Sequence, residues 1–196
     1  MNPSLHPVAL HHASRLINHG PTVLVTSLHD GRRNIMAAAW SMPVEFTPPR
    51  IAIVIDKRTF TRELIAASGA FGVCVPCATA IDLTDAVGNC SGRDFDKFER
   101  FGIAAQPGPV LGMPWLAAGC VAWLECRLIP EAHTEAAYDT CFAEVVSAAA
   151  DPRVFENGRW HYDDGNLALR TLHHLGAGHY LAGGAAVSAR QVPPST

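Results

Sequence analysis

The chain has 196 residues, a net charge of −3, and 48% hydrophobic against 17% charged residues, a composition typical of one folded domain with a substantial core and not of a disordered chain. The negative charge gives no electrostatic basis for binding nucleic acid or an anionic membrane, and no apolar run reaches the ~18 residues that would span a bilayer. Because the start of the chain lacks the basic residues and continuous apolar run of a signal peptide, we expect a cytoplasmic protein whose six cysteines are mostly free thiols.

The distribution of turns and strands predicts the fold class. Fourteen prolines and sixteen glycines indicate frequent turns, and the sequence has neither an internal repeat nor a linker, so we expect residues 1–196 to form a single domain. A leading helix is expected within residues 1–19, and residues 183–196 read as a fraying tail. Strands cluster without strict βαβ alternation, which predicts a mainly β fold, an antiparallel barrel with helical insertions.

The first predicted strand covers residues 21–28, and Asp30-Gly31 is a hairpin turn signal before a strand from Asn34 to Trp40. Residues 134–150 are ambiguous, because their alanines favour a helix whereas the segment 141–146 favours a strand. The other predicted elements, in order, are a buried strand at 51–55, a helix at 60–68, a strand at 70–75, a helix at 78–88, a short helix before 101, an extended loop at 106–114, a strand at 119–129, a turn at Asn157-Gly158, and a brief helix followed by a glycine-rich loop within 165–180.

The predicted helix 60–68 carries the strongest functional signal. Lys57, Arg58 and Thr59 precede it, and Thr61 lies in its first turn. Free backbone N–H groups and the helix dipole both favour an anion at such a terminus. The pattern indicates a phosphate site beside a strand of small residues that a flat ring could approach. The alternative is a solvated basic turn after a core strand.

Several motifs occur in a characteristic order. PTVLVTSLHDGRRNIMAAAWSMPVEFTPPRIAIVID, followed by KRTFT, contains a strand, an Asp-Gly turn, small residues with W-S-x-P, a Pro-Pro break, a buried strand and a basic turn. AFGVCVP, SGRDFDKFERFGI, LECRLI, FAEVV and HHLGAGHYL follow. Together these segments, over residues 20–182, resemble the flavin reductase-like proteins of the FMN-binding split-barrel superfamily.

The resemblance implies a six-stranded antiparallel Greek-key split barrel that forms a homodimer with FMN near the interface. It also implies an oxidoreductase that reduces flavin or a small acceptor by hydride transfer to flavin N5, with NADH or NADPH as the expected donor. The residues that it places around FMN are Ala39, Trp40, Ser41 and Met42 along the ring, Lys57, Arg58, Thr59 and Thr61 at the phosphate, Ser91 and Gly92 completing the pocket, and His174 and Tyr180 approaching the flavin from this chain or its partner.

One segment departs from the family pattern. Many of these reductases carry Gly-Asp-His, with the histidine near the nicotinamide, where this chain has Tyr138-Asp139-Thr140. FMN binding is unaffected by the change, but the signal for NADH or NADPH is lost. A non-catalytic FMN electron carrier is therefore the alternative function.

The cysteines suggest two competing sites. Cys74 and Cys77 have the spacing of a thioredoxin-type dithiol, which would make the chain a thiol–disulfide oxidoreductase. Cys74 lies inside an alternating strand, however, so a buried structural role is the better interpretation for it and for Cys120 and Cys126. Cys74, Cys77 and Cys90 with a histidine could bind zinc, but a second close pair is missing and no metal is expected.

Overall fold

The central feature of the structure, a computed structural model that describes residues 5–189, is an antiparallel sheet of eight strands. The short strand His6–Pro7 pairs with the last long strand of this sheet. The other members are β1 (Val23–His29), β2 (Arg32–Ala38), β3 (Ser41–Phe46), β4 (Pro49–Val54), β5 (Ala70–Pro76), β6 (Cys120–Ile129) and β7 (Thr140–Ala150).

The long strands follow the order β2-β1-β5-β6-β7-β4-β3, and the hydrogen-bonded path does not close on itself. The prediction of a mainly β fold with helical insertions is confirmed. The resemblance implies six strands, whereas this sheet has eight, and one of them, β3, contains Pro43. Since β3 lies at the edge of the sheet, a proline can sit there without removing a ladder hydrogen bond.

The helices lie between the strands and are short. The predicted helix at 60–68 is confirmed, since Thr59 caps its start and Gly69, with φ of 68°, ends it. The leading helix is shorter than expected and continues as a 3-10 turn over Ser14–Leu16. The α-helices of residues 5–189 are α1 (Leu10–Ala13), α2 (Phe60–Ser68), α3 (Ile81–Gly88), α4 (Lys97–Arg100) and α5 (Ala132–Tyr138), with further 3-10 turns at Ala78–Ala80 and Asp164–Leu169.

The sheet separates two groups of buried side chains. Val73 on β5 pairs with Leu124 on β6, and both belong to the larger group, together with the buried isoleucines of β4. The next pair along, Cys74 with Trp123, faces the smaller group on the other side. Because successive strand residues face opposite sides, the alternation read from the sequence correctly indicates buried strands here.

The second half of the chain differs from expectation in three places. Residues 106–114, expected as an extended loop, include parts of a small hairpin of Ala105–Pro107 with Pro114–Leu116. The ambiguous residues 134–150 divide into the end of α5 and all of β7, with Asp139 between them in a left-handed conformation. The glycine-rich loop is instead the turn of a hairpin, Leu172–Gly176 with His179–Ala182.

Smaller features complete the description. Asn157-Gly158 forms the predicted turn between Phe155–Glu156 and Arg159–Trp160. Residues 183–189 form neither helix nor strand, and the rest of the predicted tail, residues 190–196, lies outside the described residues, as does the start of the predicted N-terminal segment at 1–4. No helix within 5–189 combines the length and apolarity needed to cross a membrane.

Candidate functional site

Two cavities share Gly88 and Asn89, at the C-terminal end of α3, as lining residues, and the two neighbouring cavities are together called the groove here. The first, here called the hairpin cavity, has a volume of about 260 Å³ and lies between the end of β2 and the C-terminal hairpin. The second, the α2 cavity, has a volume of about 520 Å³ and lies at the N-terminus of α2. The groove therefore has room for a ligand of cofactor size.

The α2 cavity brings together five of the residues predicted to hold a phosphate or complete its pocket. The first N–H groups of a helix lack acceptors within the helix, and the Thr59 hydroxyl accepts only that of Arg62, at 3.2 Å. The same hydroxyl donates to the Asp56 carbonyl at 2.8 Å, which fixes the entry of the chain into α2. The predicted residues along this cavity are Arg58, Thr59, Thr61, Ser91 and Gly92.

Arg58 lies at the outer rim of the α2 cavity, with 86% of its side chain exposed. Its guanidinium donates to both carboxylate oxygens of Asp56, at 2.7 to 3.1 Å. These hydrogen bonds lower the pKa of Asp56 to about 2 and raise the pKa of Arg58. Asp56 therefore orients the guanidinium at the mouth of the cavity.

A buried polar pair forms the floor of the α2 cavity. The Asn34 side-chain amide donates to the Thr61 hydroxyl at 2.9 Å, whereas Asn34 Oδ1 is buried without a partner among residues 5–189. Gly92 approaches this oxygen so closely that a Cβ atom there would lie 2.1 Å from it. Any side chain at position 92 would thus push the Asn34 side chain out of place, which explains why glycine occupies the position.

Lys97 and Arg93 also line the α2 cavity, and the sequence reasoning did not single out either residue. The Lys97 ammonium is buried and donates to the carbonyls of Ile35, at 2.9 Å, and Val87, at 2.7 Å, so that it joins β2 to α3. Burial lowers the pKa of Lys97. The local sequence gives no signal for Lys97, because it stands among the charged residues Asp94, Asp96, Glu99 and Arg100.

The hairpin cavity contains the other predicted residues that the fold brings together. Small residues of β2 and the residue that follows it form one wall, and His174 and Tyr180 of the hairpin form another. The two rings lie 5.1 Å apart, and the Tyr180 hydroxyl donates to Asp85 Oδ1 at 3.3 Å. Burial and the nearby Asp85 raise the pKa of Tyr180. Both residues reach the groove of their own chain, together with Ala37, Ala38 and Ala39.

The structure does not bring the remaining predicted residues into either cavity. The Lys57 ammonium is directed at α5, where it donates to the Ala136 carbonyl at 2.9 Å and lies 3.5 Å from Asp139. Trp40 and Met42 are 74% and 58% exposed on the outer edge of the sheet, and Ser41 follows Trp40 with a buried hydroxyl that has no partner in the described part of the chain. A row of exposed apolar side chains, the edge stripe, comprises Trp40, Met42, Val44 and Phe46.

The two competing cysteine sites are not assembled. Cys74 and Cys77 are both buried and belong to different core groups. Cys90 lies along the α2 cavity, where its thiol donates to the Ala86 carbonyl at 3.2 Å. Within residues 5–189 no three histidine, cysteine, aspartate or glutamate side chains are grouped as metal ligands.

The chain was compared with models of known protein families. Residues 15–169 match the model of the flavin reductase like domain. The chain belongs to this family. The family match covers most of the sheet, α2, α3 and the whole α2 cavity, and it confirms the resemblance read from the motifs.

Individual relatives support the same assignment. The chain is 59% identical over 185 residues to the Escherichia coli K12 protein YddH, covering 93% of this chain and 97% of that protein. An FMN-binding domain of a flavin reductases-like enzyme from Shewanella baltica OS155 superposes with a TM-score of 0.91 at 41% identity, covering 95% and 97% of the two chains. Flavoredoxin of Desulfovibrio vulgaris Miyazaki F superposes with a TM-score of 0.73 at 26% identity, covering 87% and 90%.

Proposed function

We propose that this protein is an FMN-binding oxidoreductase that holds the FMN phosphate in the α2 cavity and the isoalloxazine ring in the hairpin cavity. The observation that carries the proposal is that the two cavities share Gly88 and Asn89, so that a helix N-terminus rich in hydroxyl groups lies next to a wall of small residues. A flavin mononucleotide has the same division into an anionic end and a flat ring.

The phosphate end of the proposed ligand suits the donors of the α2 cavity. Thr61 is fully buried at the floor, and Thr59 and Arg58 lie progressively closer to solvent. A phosphate dianion needs several charge-assisted hydrogen bonds, and hydroxyls, helix N–H groups and a guanidinium provide them. Ser91 and Gly92 also line the cavity, where the loop backbone can approach the ligand.

The ribityl chain, which links the phosphate of FMN to its ring, could donate a hydrogen bond to Asn34. Asn34 Oδ1 is a buried acceptor that lacks a donor among the described residues, and it lines the α2 cavity. The ribityl chain of FMN carries hydroxyl donors, one of which would satisfy this oxygen. A buried acceptor with no donor costs free energy in the folded protein, so this fit distinguishes FMN from a simple phosphate.

The isoalloxazine ring of FMN has to lie close to the protein backbone. Ala37, Ala38 and Ala39 allow that approach, and His174 with Tyr180 covers the other side. FMN, when bound, supplies an N5 atom that accepts a hydride, so the protein has only to bind and orient the ring and to set its electrostatic environment. NADH or NADPH is the proposed donor, and free flavin or another small molecule the proposed acceptor.

We further propose that the whole chain acts as one domain and pairs with a second copy through the edge stripe. The edge strand β3 exposes Met42, Val44 and Phe46, and Trp40 is exposed directly before it. Such a strand is a template for association. The wall of the hairpin cavity ends at Ala39, and the next residues in the chain are Trp40, Ser41 and Met42. A partner bound to these residues would place the flavin ring near the interface. Lys57 is turned toward α5 and has no part in this proposal.

A non-catalytic FMN electron carrier is the second candidate. The observation that favours it is Thr140, which begins β7 where many relatives carry the nicotinamide-associated histidine. The similarity to a flavoredoxin is consistent with this alternative.

Two measurements test the proposal in sequence. Titration with FMN, followed by flavin fluorescence, is expected to saturate at one FMN per chain. His174→Ala is expected to weaken binding, whereas the adjacent His173→Ala serves as a matched control, because His173 faces the Gly20 carbonyl on the other side of the hairpin. Rapid mixing of the complex with NADH or NADPH then separates the enzyme, whose flavin absorbance bleaches, from the carrier, whose absorbance persists.

A further inference from the structure

The side chain of Arg93 lies along the solvent-exposed end of the α2 cavity. Its backbone belongs to the loop that carries Ser91 and Gly92, and Gly92 lies close to the Phe60 ring at the start of α2. Its guanidinium reaches across to donate to the Arg58 carbonyl and to Glu63 Oε2, each at 3.0 Å. One side chain thus joins the loop to the first turn of α2.

The aromatic ring of Phe60 contacts the guanidinium groups of both Arg93 and Arg32. The Arg93 guanidinium lies 5.6 Å from the centre of the Phe60 ring, and the Arg32 guanidinium lies 4.5 Å from the same centre. Arg32 also lies 4.0 Å from Glu63. Arginines over an aromatic face gain a cation–π attraction, so the position of Arg93 is set by three kinds of contact.

The Arg93 side chain lies at the outer end of the proposed phosphate position. Thr61, at the floor, is fully buried, whereas the Arg93 side chain is 45% exposed and that of Arg58 is 86% exposed. A mononucleotide ends at its phosphate and stays inside this boundary. A dinucleotide continues through a second phosphate to an adenosine, and its chain would leave the cavity past Arg58 and Arg93, the two exposed arginines that line it.

We propose that Arg93 is a specificity-determining residue, which restricts the groove to a flavin mononucleotide and disfavours FAD. The inference rests on the proposed function, because it assumes that the flavin phosphate lies at the N-terminus of α2. FAD can bind only after the guanidinium has left Arg58 and Glu63, whereas FMN binds with both contacts intact. Specificity here is a difference between two affinities, and we expect wild-type protein to bind FMN at least about tenfold more tightly than FAD.

The test is a fluorescence titration of the full-length protein with riboflavin, FMN and FAD. Arg93→Ala removes the guanidinium and is expected to lower the ratio of FAD to FMN dissociation constants by at least about fivefold. Glu63→Gln keeps the arginine but removes its ionic anchor, so it should lower the ratio in the same direction by a smaller factor and leave FMN binding nearly unchanged. Arg100→Ala is the matched control, since this exposed arginine contacts Phe95 outside the cavity.

The outcomes separate the inference from the proposed function. An unchanged ratio in both variants, with FMN and FAD weakened alike, would show that Arg93 is only a general phosphate ligand. Wild-type protein that binds FAD as tightly as FMN would equally overturn its role, although the proposed function would stand. Protein that binds none of the three flavins would overturn the proposed function and this inference together. If circular dichroism shows that Arg93→Ala is unfolded, Glu63→Gln decides the result.

Discussion

Asn34 and Thr61 share a buried hydrogen bond of 2.9 Å that joins β2 to the first turn of α2. The two residues stand 27 positions apart in the chain, on two elements that meet at the floor of the α2 cavity. The bond fixes the helix N-terminus relative to the strand whose small residues line the hairpin cavity. The distance and orientation between the proposed phosphate site and the proposed ring site therefore depend on this pair.

Thr61→Val tests this dependence. Valine has nearly the shape of threonine but cannot accept the Asn34 amide, which would leave a buried donor unsatisfied. We expect a loss of about 1–3 kcal/mol in the free energy of unfolding and an FMN affinity about tenfold weaker, because a hydroxyl at the phosphate is also lost. Thr61→Ser, which keeps the hydroxyl, is the control for chemical denaturation and for FMN titration. Equal effects of valine and serine would contradict the role assigned to the hydroxyl.

The adjacent cations Arg58 and Lys57 make a matched pair for the second prediction. Arg58 stands at the mouth of the α2 cavity, whereas Lys57 is bound to the Ala136 carbonyl and Asp139 on another surface. Arg58→Ala should weaken FMN binding by about tenfold, or about 1.4 kcal/mol, the size of one charge-assisted contact. Lys57→Ala should leave the dissociation constant within about twofold. A larger loss in the lysine variant, measured by the same titration, would mean that the anion lies elsewhere along the turn.

Cys141 predicts how stability depends on alkaline pH. Burial raises the pKa of this thiol from 9.0 to about 11, against an opposing effect of Arg62, while Glu135 and Asp139 act in the same direction as burial. The unfolded chain therefore releases the proton at lower pH than the folded protein does. The stabilisation is complete below pH 9 and is lost between pH 9 and about 11, by about 2 kcal/mol.

Urea unfolding at pH 8, 9, 10 and 11 measures this effect. Cys141→Ala lacks the titrating thiol, so its free energy of unfolding should fall less steeply over the same interval. Other buried groups, such as Tyr162, whose pKa burial raises to about 12, remain in both proteins and cancel in the comparison. Parallel pH profiles for the two proteins would show that Cys141 keeps an ordinary pKa.

The edge stripe yields a prediction about association. Trp40, which precedes β3, and Phe46, which ends it, are 74% and 59% exposed, and an uncovered apolar edge strand favours pairing with another chain. Trp40→Glu together with Phe46→Glu should convert a dimer into a monomer in sedimentation velocity. The control is Val110→Glu, which alters a residue that is 52% exposed and whose backbone N–H donates to Glu125 of β6, with β7 and β4 between it and β3. A wild-type protein that sediments as a monomer at all concentrations would refute the proposed interface.

Much of the α2 cavity could be predicted from the sequence, because its signals are local. The cap at Thr59, the stop at Gly69 and the hydroxyls between them lie within one short segment, and helix ends follow rules of sequence. The pair His173-His174 is a second local case, since adjacent strand residues face opposite sides. The structure accordingly places His174 in the groove and His173 outside it.

The remaining features depend on contacts between distant parts of the chain. Lys57 looked equivalent to Arg58 until the fold placed Asp139, 82 positions away, beside it. The role of Arg93 depends on Glu63, 30 positions away, which no local pattern indicates. The sequence predicts a loop in place of the C-terminal hairpin, because the turn of this hairpin places Ala177, a residue with a Cβ atom, at a φ of 50°, where a glycine is normally expected.

A crystal structure of the protein with FMN is the most direct test of the central claim that one groove holds both ends of this nucleotide. The account predicts the phosphate within hydrogen-bonding distance of Thr59 and Thr61, the ribityl chain beside Asn34, and the ring between Ala37–Ala39 and the C-terminal hairpin. FMN bound with its phosphate away from the N-terminus of α2, or with its ring outside the hairpin cavity, would contradict it.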